Sequence, residues 1–226
     1  MMHQLKNTTL IQQLATTSQF NHQFSTNLAT KADLVLISAG DQVVTQGKAA
    51  DTLWYLARGR TKLTTTLANG KIALIDFFTT PCFIGEMEFI DHQPTYTFTV
   101  TALSDCWCFR LPVAPYRQRL LQDSHFLQQL CQYFVHKNYR NIQTATRNQS
   151  FPLVQRLAAF ILLTAHNDQY TEKNTQVAEY LGVSYRHLLY VFSQLVKDGS
   201  LTRTHPGYHI INHQYLRSLA YDVQHS

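Results

Sequence analysis

Residues Thr175–Leu195 read TQVAEYLGVSYRHLLYVFSQL. Two short helical patterns meet there at a glycine. Val177, Ala178 and Leu181 give the first helix its apolar face. Gly182 follows where the chain must turn and a left-handed conformation costs least. Val183 plugs the turn. Ser184 offers a hydroxyl that accepts from the unpaired N–H groups of the next turn. The second helix carries Leu188, Val191, Phe192 and Leu195, the i, i+3, i+4, i+7 spacing of a core face. Lys197-Asp198-Gly199 ends it, with a cation near the C-terminal dipole and glycine beyond. Helix, glycine turn and capped second helix make a helix-turn-helix pattern.

The alternative is an ordinary helical hairpin inside a bundle. Two features oppose it. Ser184-Tyr185-Arg186-His187 places polar and aromatic groups at the helix start, the part of a recognition helix that reaches base edges. Thr202–Ile211 (TRTHPGYHII) then reads as a hairpin with Pro206-Gly207 at its tip, the wing of a winged helix.

Working outward, 226 residues suit one or two domains, each long enough to bury a core. The formal net charge is +5. It is spread along the chain, with 10 basic against 8 acidic residues before Asp123 and 9 against 6 from there on. That permits nucleic-acid binding without arguing for it. Eleven scattered histidines suggest no single pH switch. No apolar run approaches the ~20 residues of a membrane span. The polar start MMHQLKNTTLIQQL lacks the pattern of a secretory leader. A cytoplasmic protein without membrane partners is expected. Four cysteines in such a chain are no disulfide framework.

Residues 1–30 are polar with scattered Leu and Phe and predict one or two short helices lying on the next domain. From Leu34 the rhythm changes to short β-rich runs punctuated by Gly40, Gly47, Gly59 and Gly70. Asn69-Gly70 predicts a hairpin joining Arg60–Leu67 to Lys71–Phe78, since both residues tolerate positive φ. Strands resume at Thr97–Leu103 and Cys106–Leu111. Even spacing of short strands predicts a small barrel or roll. Asp123 to Asn148 is one helical stretch without Pro or Gly. Leu127, Leu130, Phe134, Ile142 and Ala145 mark an apolar seam with Asn138 among them. Asn148–Phe151 reads as a hinge, and Pro152 suits the first turn of a further helix over Leu153–Leu163.

Gly47 before Lys48–Asp51, Leu53-Trp54-Tyr55-Leu56 with Arg58-Gly59, Asn69-Gly70, and Phe83-Ile84-Gly85-Glu86 together resemble the β-roll of cyclic-nucleotide-binding domains. Joined to the helix-turn-helix, the chain from about residue 30 is similar to the CRP/FNR superfamily of bacterial transcription regulators. PCFIGE (Pro81–Glu86), CWC (Cys106–Cys108), HKNYRNI (His136–Ile142) and NQSFPLV with RLAAFILL (Asn148–Leu163) look most like its YeiL branch. The resemblance implies an α+β chain in three parts. Residues 1–122 form N-terminal helices and a β-roll sensor. Residues 123–150 form a dimerisation helix and hinge, and residues 151–226 a winged helix-turn-helix. It further implies a homodimer that pairs along the long helix and binds double-stranded DNA, touching RNA polymerase if it activates. In such a coiled coil Asn138 helps set register. The other possibility is a helix packed only on its own roll.

The family holds its nucleotide phosphate at a Gly-Glu pair, with an Arg-Ser pair some ten residues on. Gly85-Glu86 is present, but the second pair falls near Tyr96-Thr97, and no Arg lies between Arg60 and Arg110. Phosphate without a cation lacks its main charge complement. Cyclic AMP is therefore not expected, Gly85-Glu86 reads as a retained turn, and another ligand stays open. The cysteines are a second candidate sensor. Cys106 and Cys108 lie two apart, on one face of a strand. Cys82 precedes Gly85, and Cys131 sits early in the long helix. Buried core, a redox thiol pair, or a metal or iron–sulfur cluster all stay open. The iron–sulfur site of the FNR branch cannot be carried over, since no Cys precedes Cys82.

For DNA, Tyr185, Arg186 and Tyr190 occupy the three positions that family members use on base edges. Arg186 has the fork that matches guanine O6 and N7. Ser184 and His187 suit phosphate, as do Thr175 and Gln176 at the first helix start. Simple packing is the other reading of Tyr185 and Tyr190. The trio departs from the common Arg-Glu and Arg set, so the usual family half-site is not assumed. A metal enzyme on the roll is disfavoured, since His92 is the only histidine between Leu34 and Leu111. A regulator whose roll is only a dimer scaffold, or one sensing redox state or iron through its cysteines, remains an alternative.

Overall fold

The structure is a computed structural model that describes residues 2–5 and 7–225. The chain divides into two compact units, the first ending at His136 and the second beginning at Lys137.

In the first unit the elements run β1 (Met2–Leu5), α1 (Thr8–Thr17), β2 (Asp33–Ile37), β3 (Gln42–Val44), β4 (Thr52–Arg58), β5 (Arg60–Thr66), β6 (Ile72–Thr79) and β7 (Cys82–Ile84). They continue with α2 (Glu86–Asp91), β8 (Thr99–Ala102), β9 (Cys106–Pro112), α3 (Val113–Gln122) and α4 (Ser124–Ser150), which runs on into the second unit. One sheet has the order β1-β2-β9-β4-β7 and the other β3-β8-β5-β6. All their pairings are antiparallel. The sheets close over a core that includes Val35, Ile37, Trp54, Leu56, Leu63, Phe78, Val100, Cys106 and Cys108.

The outer face of the five-stranded sheet is covered as well. Leu53, Tyr55, Phe83, Phe109 and Leu111 pack there against Phe20, Phe24, Leu120, Phe126 and Leu130. This explains why LWYLA in β4 is buried throughout. Alternate side chains enter two different cores, so the strand shows no polar face. Rings dominate the outer core: Phe20 stacks on Phe109 at 4.2 Å and Phe24 on Phe126 at 5.4 Å.

Two sequence expectations change here. The N-terminus supplies a strand as well as a helix: β1 pairs along β2 from Met2↔Ile37 to Leu5↔Leu34. Four residues are too few to carry a strand pattern, and the edge of β2 recruits them. The Asn69-Gly70 hairpin forms, but only Gly70 is left-handed (φ +77). Asn69 instead uses its side chain, whose Oδ1 accepts from the Lys71 N–H at 3.0 Å.

The second unit contains the lower half of α4, then α5 (Leu153–Thr164), β10 (Gln169–Tyr170), α6 (Asn174–Tyr180), α7 (Tyr185–Lys197), β11 (Leu201–Arg203), β12 (Tyr208–Ile210) and α8 (His213–His225). β11 and β12 form the predicted wing, and β10 adds a third strand beside β12. Gly207 is required there. At φ +88 an added β-carbon would lie 1.9 Å from the Tyr170 carbonyl oxygen. The wing is fastened from beneath, where Phe192 of α7 stacks on Tyr208 of β12 at 4.4 Å and 4°. The fold is thus a β-roll joined by a long helix to a winged helix-turn-helix. Among the described residues no helix is long and apolar enough to cross a membrane.

Candidate nucleic-acid interface

The α6–α7 turn is built as its residues require. Gly182 takes φ +65, and the next N–H, of Val183, returns to the Ala178 carbonyl at 2.9 Å. Ser184 caps α7, its Oγ accepting from the His187 N–H at 3.2 Å. Leu188, Val191, Phe192 and Leu195 are buried. That choice of inner face turns Tyr185, Arg186, His187 and Tyr190 outward, and Tyr190 is 60 % exposed. The Arg186 side chain makes no hydrogen bond or ion pair among the described residues. Tyr185 and Tyr190 stand clear of the core, so packing does not explain them. Thr175 is exposed and Gln176 half-buried on α6.

Arg203 and His205 were not singled out from the sequence. Both are exposed on the wing, and Arg203 also lacks a side-chain partner among the described residues. The signal was available in TRTH, where polar residues crowd one arm of a hairpin.

In α4 the structure separates the predicted seam into two stripes. Leu130 is 2 % exposed in the core of its own unit, with Leu127 and Phe134 partly buried beside it. Asn138, Ile142 and Ala145 are exposed. They continue through Val135 and Cys131 instead, both also exposed. Residues 131, 135, 138, 142 and 145 follow the alternating four-three spacing of a coiled-coil seam. Leu130 therefore leaves the set available to a partner: a helix turns about 100° per residue, and the roll takes the stripe next to the free one.

In the roll, Gly85 is left-handed (φ +85) and opens α2, with Glu86 buried behind it. A β-carbon on Gly85 would come within 3.0 Å of the Tyr96 ring. The Tyr96 hydroxyl donates to the Thr52 carbonyl at 2.7 Å, and burial pushes its pKa up to about 12. Glu88, 6 % exposed, accepts the Thr97 N–H on Oε1 at 2.8 Å. The four residues expected around an effector, Gly85, Glu86, Tyr96 and Thr97, are thus brought together, with Glu88, which sequence reasoning passed over, among them.

The cysteines do not converge as a set. Cys82, Cys106 and Cys108 are buried between the sheets, whereas Cys131 is exposed on α4. The Cys106 thiol donates to the Ser104 carbonyl at 3.1 Å. Burial pushes its pKa up to about 11 and that of Cys108 well above the usual thiol range. Such thiols stay protonated and poorly nucleophilic. Among the described residues no three His, Cys, Asp or Glu side chains are grouped to hold a metal.

Residues 34–123 match the cyclic nucleotide-binding domain family. Regulatory protein YeiL of Escherichia coli O157:H7 is 51% identical over 208 residues, covering 91% of this chain and 94% of that one. The fold is similar to TTHB099, a CRP-family transcriptional regulator from Thermus thermophilus, with TM-score 0.62 and 16% identity over 82% of this chain and 96% of that one. It is also similar to FixK2 from Bradyrhizobium japonicum, with TM-score 0.56 and 15% identity over 83% and 96%.

Proposed function

Because the chain belongs to the family of regulatory protein YeiL and has the fold of CRP/FNR transcriptional regulators, we propose that it acts as a transcription regulator, a homodimer reading a palindromic operator with α7. The observation that carries this reading is the outward face of α7, where Arg186 has no partner among the described residues of its own chain. A guanidinium so placed is held ready for the two acceptors of a guanine edge. Tyr185 and Tyr190 flank it on base edges. Ser184, His187, Thr175, Gln176 and, on the wing, Arg203 hold phosphates and set register. Two such helices about one DNA turn apart read both half-sites. The dimer forms along Cys131, Val135, Asn138, Ile142 and Ala145 of α4. The roll occupies residues 1–122, the dimer helix and hinge 123–150, and the DNA-binding unit 151–226.

The test is selection of duplexes from a random pool, followed by titration of wild type and Arg186→Ala on the enriched site. The wild type is expected to enrich a palindrome. The variant is expected to lose about 1–3 kcal/mol, and its preference at one base pair per half-site. A uniform loss across all sequences would move Arg186 to a phosphate-binding role. Failure of an intact wild-type dimer to enrich any site would count against the whole reading.

The roll does not take cyclic AMP in this reading. No arginine faces the Gly85 turn from residues 96–97. The Glu88 carboxylate already holds the Thr97 N–H, and a carboxylate repels phosphate. The Tyr96 ring fills the space above Gly85. A ligand at about 100 times its Kd would add about 2.7 kcal/mol to stability and raise Tm by several degrees. Cyclic AMP and cyclic GMP are expected to leave the melting curve where it is, and a clear rise with either one refutes the self-filled pocket. The same observations favour a roll that needs no nucleotide to keep its shape.

A further inference from the structure

The C-terminus of a helix leaves its last carbonyls without partners inside the helix. In α6 the glycine turn serves two of them: the Val183 N–H reaches Ala178 O and the Gly182 N–H reaches Glu179 O. The next two carbonyls are served from elsewhere in the unit. Asn148, in the last turn of α4, donates through Nδ2 to Tyr180 O at 3.2 Å. Arg156 of α5 donates through Nη1 to Leu181 O at 2.5 Å. The same guanidinium donates through Nε to Phe151 O, in the break after α4, at 2.9 Å. It also reaches Asn148 Oδ1 at 3.3 Å.

Arg156 is 9 % exposed and each of these acceptors is a neutral oxygen. Burying a cation without a carboxylate is costly, and planar forked donors are the device that holds several acceptors at once. A simple cap for α6 would need neither of the bonds from Arg156 to the Phe151 carbonyl and to Asn148 Oδ1. The bonds run instead from the end of α4 and the break behind it to the first helix of the helix-turn-helix.

We propose that Asn148 and Arg156 form a joint that fixes the direction of α6 and α7 against the lower half of α4. They are positioning residues: movement of α4 is passed to the DNA-reading face through these hydrogen bonds rather than through a loose hinge. The proposal deepens the regulator reading and rests on it for its consequence at DNA. Beside the joint lies a cavity of about 270 Å³, lined in part by Thr144, Asn148, Arg156, Tyr180 and Val223. It lets water replace a shortened side chain, so Asn148→Ala is expected to fold.

The test uses the full chain with Cys131→Ser, and with nitroxide labels at Gln143→Cys in α4 and Gln194→Cys in α7, both exposed. Labelled protein is diluted in unlabelled protein so that only pairs within one chain are read. The parent should give one narrow distance distribution. Asn148→Ala and Arg156→Lys, which keeps the charge but loses the fork, should each broaden it. In parallel, affinity for the selected palindrome should fall about tenfold in both, within the range of coupling free energies between sites, with the melting temperature of Asn148→Ala nearly unchanged and that of Arg156→Lys lowered by the buried oxygens it leaves unpaired. A merely structural cap would lower the melting temperature and leave the width alone. Unchanged widths in both variants, or broadened widths with unchanged DNA affinity, overturn the joint. If the wild type binds no DNA, the regulator reading fails on its own and the label distances still decide the joint.

Discussion

Phe192→Ala is expected to cost the second unit most of its stability. The ring is 0 % exposed. It stacks on Tyr208 at 4.4 Å and lies 5.5 Å from the Tyr170 ring. It therefore joins α7 to two strands of the wing sheet. Large-to-small changes of this kind cost about 3–5 kcal/mol, the lost transfer term plus the cavity left behind. A whole domain holds only about 5–15 kcal/mol, and a small one sits at the low end. Denaturation followed by circular dichroism should show the second unit unfolding well before the first, where wild type keeps both. DNA affinity should vanish with it. A loss under about 1 kcal/mol would mean that the wing is held by other contacts and that α7 folds without it.

The second large effect is expected at Ile142→Glu. Ile142 is 55 % exposed on a helix whose other face already serves the roll higher up. A β-branched residue left in water on a regular four-three seam points to a partner helix. In a symmetric dimer each seam residue meets its own twin or a neighbour of it, so one substitution places two carboxylates together on an apolar seam. Sedimentation should show monomers where wild type gives dimers. Affinity for the full palindrome should fall on the order of 100-fold or more, because the second half-site no longer benefits from effective concentration. The melting of each unit should change little, since Ile142 is exposed and is not among the buried core residues of its own chain. Leu130→Glu makes the contrast: it should unfold the roll. A dimer that survives Ile142→Glu would remove α4 from the interface.

Much of this protein is legible in local pattern. Gly182 and Ser184 announce a turn and a cap that the structure uses as read. The spacing from Leu188 to Leu195 selects the buried face of α7, and so places Arg186 and Tyr190 outside. Asn69-Gly70 and Pro206-Gly207 mark both hairpins. These signals act over a few residues, within reach of backbone geometry and a single side chain, so no distant part of the chain has to be known.

What lies outside that range was settled by packing. The Glu88 carboxylate meets the Thr97 N–H only because the loop after α2 folds back over it. Leu130 and Val135 look alike as apolar residues of one helix, but the roll covers the first and leaves the second in water. Cys82 joins Cys106 and Cys108 inside the sandwich while Cys131 does not, and their spacing in the chain does not say which of the four meet. Asn148 and Arg156 become a joint because the end of α6 arrives with two carbonyls that its own turn does not serve. Period, caps and turn residues determine which elements form and which way each is amphipathic. Which face is covered, and by what, depends on the chain that folds against it, and only the tertiary structure decides that.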